Sequence, residues 1–68
     1  MVKNQTRKEE TRRNILDAAS RGFREKGFAG VGVDGISKAA QATSGAFYAH
    51  FGSKDGAFLV ALELGLDE

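Results

Sequence analysis

The side chains best suited to chemistry in this 68-residue chain crowd into one stretch: Thr43, Ser44, Tyr48, His50 and Lys54. Each can donate a hydrogen bond, and Gly45 and Ala46 lie among them with almost no side chain to hold another surface away. The set has little to offer catalysis. With no paired carboxylate in a plausible pocket, no nucleophile-histidine constellation and no phosphate loop, no catalytic residue is assigned and an enzyme is not expected. The chain has no cysteine and a single histidine, which cannot make a metal site by itself, so neither a metal nor another cofactor is expected. What these donors suit is the oxygen-rich backbone of a polyanion.

The elements that must position them are helices. No proline interrupts the chain and no β-branched alternating run appears, so about four helices separated by glycine are expected. The first should begin at Thr6 or Arg7 and end at Lys26. Ile15, Leu16, Ala18, Ala19 and Phe23 recur there at helical spacing, while Arg12, Arg13, Asp17 and Arg24 fill the other faces. Gly27 suits the left-handed position past the helix end, Lys26 complements the negative end of the dipole, and Phe28 should fold back as a hydrophobic contact. Residues 29–32 read as small and flexible. A short second helix is expected over residues 33–40, with Gly32 as a cap that lacks a side chain and Val33, Ile36, Ala39 and Ala40 on its buried side.

Gln41, Ala42 and Thr43 form a three-residue connector, and Thr43 is a good N-cap for a third helix from Ser44 to about His50. Phe47 and Phe51, four residues apart, share its inner face. Gly52 ends this helix, and Ser53 caps a fourth that is expected to run from Lys54 into the last residues. Its apolar stripe is Phe58, Leu59, Leu62 and Leu66. The fold class is therefore all-α: a small, homeodomain-like helical bundle containing a helix-turn-helix. Residues 1–53 form that domain and residues 54–68 begin a connecting helix. A chain this short buries only roughly 60% of its unfolded surface, and so broad a stripe at its end suggests a piece of a longer protein.

The net charge of +1 conceals an asymmetry. Residues 1–26 hold eight basic groups against four acids, whereas residues 53–68 set Lys54 against Asp55, Glu63, Asp67 and Glu68. The N-terminal part suits a polyanion; the C-terminal part does not. The longest apolar run, Ala57 to Leu62, is far short of the ~20 residues needed to cross a bilayer, and residues 1–13 lack the core of a signal peptide. The chain thus reads as soluble and cytoplasmic, with no membrane partner.

Two short helices joined by a tight turn match the geometry in which the second lies in the major groove of double-stranded DNA and the first braces it. The start of the third helix offers unpaired backbone N–H groups to a phosphate, and Thr43 adds a hydroxyl there. Glycine within a helix costs about 1 kcal/mol relative to alanine, and close approach to another surface would explain Gly45. Tyr48 projects a hydroxyl one turn beyond Ser44, while His50 and Lys54 add donors around the junction of helices three and four. No arginine, asparagine or glutamine lies between Ser44 and Ala49, so bidentate base readout is scarce. Specificity should then come from thymine-methyl contacts by Thr43 or Ala46, from backbone positioning and from DNA shape. The competing reading is a helical protein-interaction module that docks through Phe58, Leu62 and Leu66.

These segments together resemble the N-terminal domain of the TetR (tetracycline-repressor-like) family of bacterial transcriptional regulators, over nearly the whole chain. The resemblance is carried by Ile15-Leu16-Asp17-Ala18-Ala19, Phe23-Arg24-Glu25-Lys26-Gly27-Phe28 and Ile36-Ser37-Lys38-Ala39-Ala40. It continues through Thr43-Ser44-Gly45-Ala46-Phe47-Tyr48 and the run from Phe47 to Asp55. It implies phosphate contacts at Thr43, Tyr48, His50 and Lys54, and base-edge or close backbone approach by Ser44, Gly45 and Ala46. It also implies a ligand-responsive repressor acting as a homodimer on a palindromic operator. The dimer interface and any small-molecule effector site would lie in a C-terminal region outside these 68 residues. Three positions depart from the family pattern: Gln41 replaces a turn glycine, Gly32 replaces a hydroxyl-bearing cap, and Gly22 replaces a larger apolar residue, which would leave a gap beside Phe23. A glutamine forced to positive φ is strained by about 1 kcal/mol. Gln41→Gly is therefore expected to leave the melting temperature unchanged or raise it in a thermal unfolding scan; a clear fall would mean that Gln41 makes a contact worth more than the strain.

Overall fold

The computed structural model describes residues 3–65, with side chains from Lys8 to Gly65. Four helices follow one another: α1 (Lys3–Lys26), α2 (Val33–Ala39), α3 (Ser44–Phe51) and α4 (Lys54–Leu64). No strand occurs among the described residues, and the all-α class holds. Among the described residues, no helix is long and apolar enough to cross a membrane.

α1 forms because Ile15, Ala19 and Phe23 recur every fourth residue and give one continuous buried stripe. It starts at Lys3 rather than at Thr6 or Arg7. Residues 3–10 carry no apolar period, but lysine, glutamine, arginine and glutamate are good helix formers and extend a helix already nucleated further along. At the other end, Gly27 adopts φ 80° and its N–H donates to the Phe23 carbonyl at 2.9 Å, closing the helix as expected. Phe28 turns back and stacks on Phe23 with ring centroids 5.7 Å apart.

α1 packs against each of the other three helices, and α3 is held between α2 and α4. The centre is built from Ile15, Ile36 and Phe47, all essentially inaccessible, with Ala19, Phe23 and Ala57 around them. Burying each of the three large side chains contributes roughly 1.5–3 kcal/mol. Phe58 sits edge-on to Phe23 at 5.0 Å and against Phe28 at 5.1 Å, completing a three-ring cluster. This corrects the expected α4 docking stripe. Phe58 is committed to the protein's own aromatic cluster, α4 spans Lys54–Leu64 with a left-handed Gly65 after it, and Leu66 lies outside the described residues. The exposed apolar residues of α4 are Leu59, Leu62 and Leu64.

Smaller corrections follow from the packing of α2. Its buried residues are Ile36 and Ser37, with Val33 and Ala40 partly covered; Ala39 is exposed, lining an open groove between α1 and α2. Gly22 leaves no gap: a Cβ there would lie 2.9 Å from Val31 Cγ2, so Val31 occupies the space a larger residue would fill. The turn keeps the geometry that glycine usually supplies. Gln41 sits at φ 58°, its N–H bonds the Lys38 carbonyl at 3.0 Å, and the Ala42 N–H bonds the Ser37 carbonyl at 2.8 Å. This paired closure requires a left-handed residue at Gln41.

Ser20 and Ser37 are each 2% exposed, and neither hydroxyl has a hydrogen-bond partner. An unpaired buried hydroxyl costs about 1–3 kcal/mol, whereas alanine fits the same space and favours helix. Ser37→Ala is expected to stabilise the domain by about 1 kcal/mol, which at this size corresponds to a rise of roughly 4–8 °C in calorimetric melting temperature. A lower melting temperature would show that the hydroxyl is satisfied in solution.

Candidate nucleic-acid interface

Thr43 starts α3 from an extended backbone (φ −98°, ψ 160°), and its Oγ1 accepts the Ala46 N–H at 3.0 Å. A threonine at this position satisfies one of the unpaired amides of the helix start. Because Oγ1 acts as acceptor in the cap, its own O–H remains available as a donor. Phe47 then plunges into the core at 0% exposure, and the helical period turns the opposite side outward. Thr43, Gly45, Tyr48 and Ala49 are exposed; Ser44 and Ala46 are partly so. Tyr48 lays its ring edge-on to Phe47 at 5.6 Å and is 50% exposed, which fixes the ring while leaving its end in solvent.

Gly45 is the informative member of this surface. A Cβ built there would meet only Thr43 Oγ1, at an ordinary 3.8 Å. Packing within the molecule therefore gives no reason for a glycine that weakens the helix.

The other two expected donors lie around the α3–α4 junction. The Gly52 N–H donates to the Tyr48 carbonyl at 2.8 Å, and Ser53 caps α4 by accepting the Gly56 N–H at 3.0 Å. A side chain at Gly56 would collide with the Phe51 carbonyl, so the two helices meet as tightly as backbone allows. His50 is partly buried beside Phe51, with ring centroids 6.3 Å apart. The Lys54 ammonium lies 4.4 Å from the centre of the Phe28 ring. That cation–π contact gives Lys54 a partner inside the protein and offsets its unfavourable place at a helix N-terminus.

The structure thus gathers Thr43, Ser44, Gly45, Ala46 and Tyr48 on α3, sets His50 in its last turn, and places Lys54 beyond the junction against Phe28. Two further side chains join the surface. Arg12 of α1 lies over the Phe51 ring at 4.9 Å, and the Ser44 hydroxyl donates to Asp34 Oδ1 of α2 at 2.8 Å. Neither contact follows a sequence period; the only local hint is that Asp34, in the first turn of α2, suits the positive end of that helix.

Residues 15–61 match the model of the bacterial regulatory proteins, tetR family. This chain belongs to the TetR family. It is a helix-turn-helix DNA-binding domain of a transcriptional regulator, with α2 and α3 as the two helices of the motif. The HTH-type transcriptional regulator AcrR of Shigella flexneri is 43% identical over 56 residues, which cover 82% of this chain and 26% of that protein. The chain therefore spans about a quarter of the length of this curated TetR relative. No solved structure matches it.

The two hydroxyl caps define the start of α3 and of α4. Thr43→Ala and Ser53→Ala are each expected to lower unfolding free energy by about 1 kcal/mol in urea titrations, with Thr43→Ser close to wild type. An unaffected midpoint for Thr43→Ala would mean that the α3 start is held by something other than its cap.

Proposed function

We propose that this domain binds double-stranded DNA sequence-specifically by laying α3 in the major groove, as the N-terminal part of a ligand-responsive repressor. In this reading residues 1–53 form the binding unit, and residues from 54 onward lead into a region that pairs two copies on a palindromic operator and holds a small-molecule effector. The observation that carries it is Gly45: an exposed helical glycine with room for a side chain, flanked by the free hydroxyl donors of Thr43 and Tyr48. A surface that must come close to the backbone of α3 supplies the missing reason for it.

Thr43, Tyr48, His50 and Lys54 then serve as phosphate donors, and Ser44, Gly45 and Ala46 face the base edges. Lys54 can keep its ammonium on Phe28 while directing remaining N–H groups outward. Thymine methyls and DNA shape supply part of the specificity, since α3 carries no arginine, asparagine or glutamine.

Selection of duplexes from a random pool by the intact protein tests the reading, and a two-fold-symmetric motif is the expected product. Gly45→Leu should keep the fold and lose at least tenfold in affinity for that duplex. Tyr48→Phe should weaken binding without changing its salt dependence, and Lys54→Ala should weaken it and lower the salt slope by about 1. The exposed Leu59, Leu62 and Leu64 favour a second reading, a protein-interaction module. An absence of duplex binding even at low salt would select it.

A further inference from the structure

The hydrogen bond that joins the two helices of the motif also decides what one of them can read. A serine hydroxyl has one hydrogen to donate and two lone pairs to accept with, so a free serine tolerates every base. Ser44 is not free. Its hydrogen points to Asp34 Oδ1 at 2.8 Å, and a carboxylate can only accept, so the bond has one direction. The hydrogen is therefore committed within the protein, and the remaining lone pairs of Ser44 and the second oxygen of Asp34 form a patch of acceptors only. Both residues belong to first helical turns, Ser44 of α3 and Asp34 of α2, and Asp34 is exposed.

Resting on the DNA-binding reading above, we propose that the Asp34–Ser44 pair is a specificity element that selects a base offering an amino donor in the major groove. Asp34 fixes the direction of the Ser44 hydroxyl, and the Ser44 lone pairs and the second Asp34 oxygen together face the base. Cytosine is the preferred partner, since its major-groove edge presents the N4 amino group alone. Adenine is second, because its N6 amino group sits beside the N7 acceptor, which faces the carboxylate unfavourably. Guanine and thymine present acceptors at this place and are rejected, because acceptor then meets acceptor and the second Asp34 oxygen is left without a donor. The pair thus supplies polar base discrimination that the side chains of α3 alone do not suggest.

The test compares base preference, position by position, for the intact protein and its Asp34→Ala, Ser44→Ala and Asp34→Asn variants, using duplexes selected from a random pool. The wild type should restrict one position of each half-site to cytosine, with adenine second, and guanine or thymine there should weaken binding at least tenfold. Asp34→Ala and Ser44→Ala should each reduce that discrimination to less than threefold while the other positions keep theirs. Asp34→Asn, which adds a donor at nearly unchanged shape, should admit guanine or thymine at the same position. Three results overturn the proposal: full discrimination retained in Asp34→Ala, discrimination lost equally at every position, or a wild-type preference for guanine or thymine with no amino-restricted position. Failure of the wild type to bind any duplex at low salt would be a separate result, removing the DNA-binding reading and this proposal together.

Discussion

The arrangement depends on the burial of Phe47. An eight-residue helix has too few turns to hold itself in water, and its stability must come from the side chain it inserts among its neighbours. Phe47 meets Phe51 and Tyr48 within α3 and joins Ile15, Ala19, Ile36 and Ala57 in one core, so α3 is oriented against α1, α2 and α4 at once. Once that ring is fixed, the helical period places Thr43, Gly45, Tyr48 and Ala49 in solvent. The candidate interface is the outer side of the same constraint that makes the core.

Around that anchor, short polar contacts set the ends of the helices. Thr43 and Ser53 cap α3 and α4, the left-handed Gln41 closes α2, and Asp34 reaches across the turn to Ser44. Aromatic rings steady the charged residues at the edges: Phe51 lies under Arg12 and Phe28 under Lys54. In so small a domain there is little apolar area to spare. Precision in the motif therefore comes from caps and single cross-helix contacts, and its surface chemistry is inseparable from its folding.

Much of this was legible in the sequence because it follows local rules. The Ile15, Ala19, Phe23 period, the stop at Gly27, the return of Phe28 and the two hydroxyl caps each need only a few neighbouring residues. What was not legible depends on residues far apart in the chain. Val31 filling the space beside Gly22, Lys54 resting on Phe28 and Asp34 taking the hydrogen of Ser44 join elements through the tertiary fold. Phe58 illustrates the same limit: its helical spacing with Leu62 suggests one docking face, yet it is drawn into the Phe23–Phe28 cluster, leaving Leu59, Leu62 and Leu64 outside. The start of α1 was missed for the opposite reason, since residues 3–10 are helical without any apolar period to announce it.

In the proposed function the outer side of α3, rather than the exposed leucines of α4, is the surface that meets the partner. Following backbone amide resonances while duplex DNA is added to the isotope-labelled protein tests this most directly. With α3 as the contact surface, the largest shifts fall on residues 43–48 and the first turn of α2, fade as salt is raised, and spare Leu59 and Leu62. Shifts concentrated on Leu59, Leu62 and Leu64, with residues 43–48 unmoved, would contradict it.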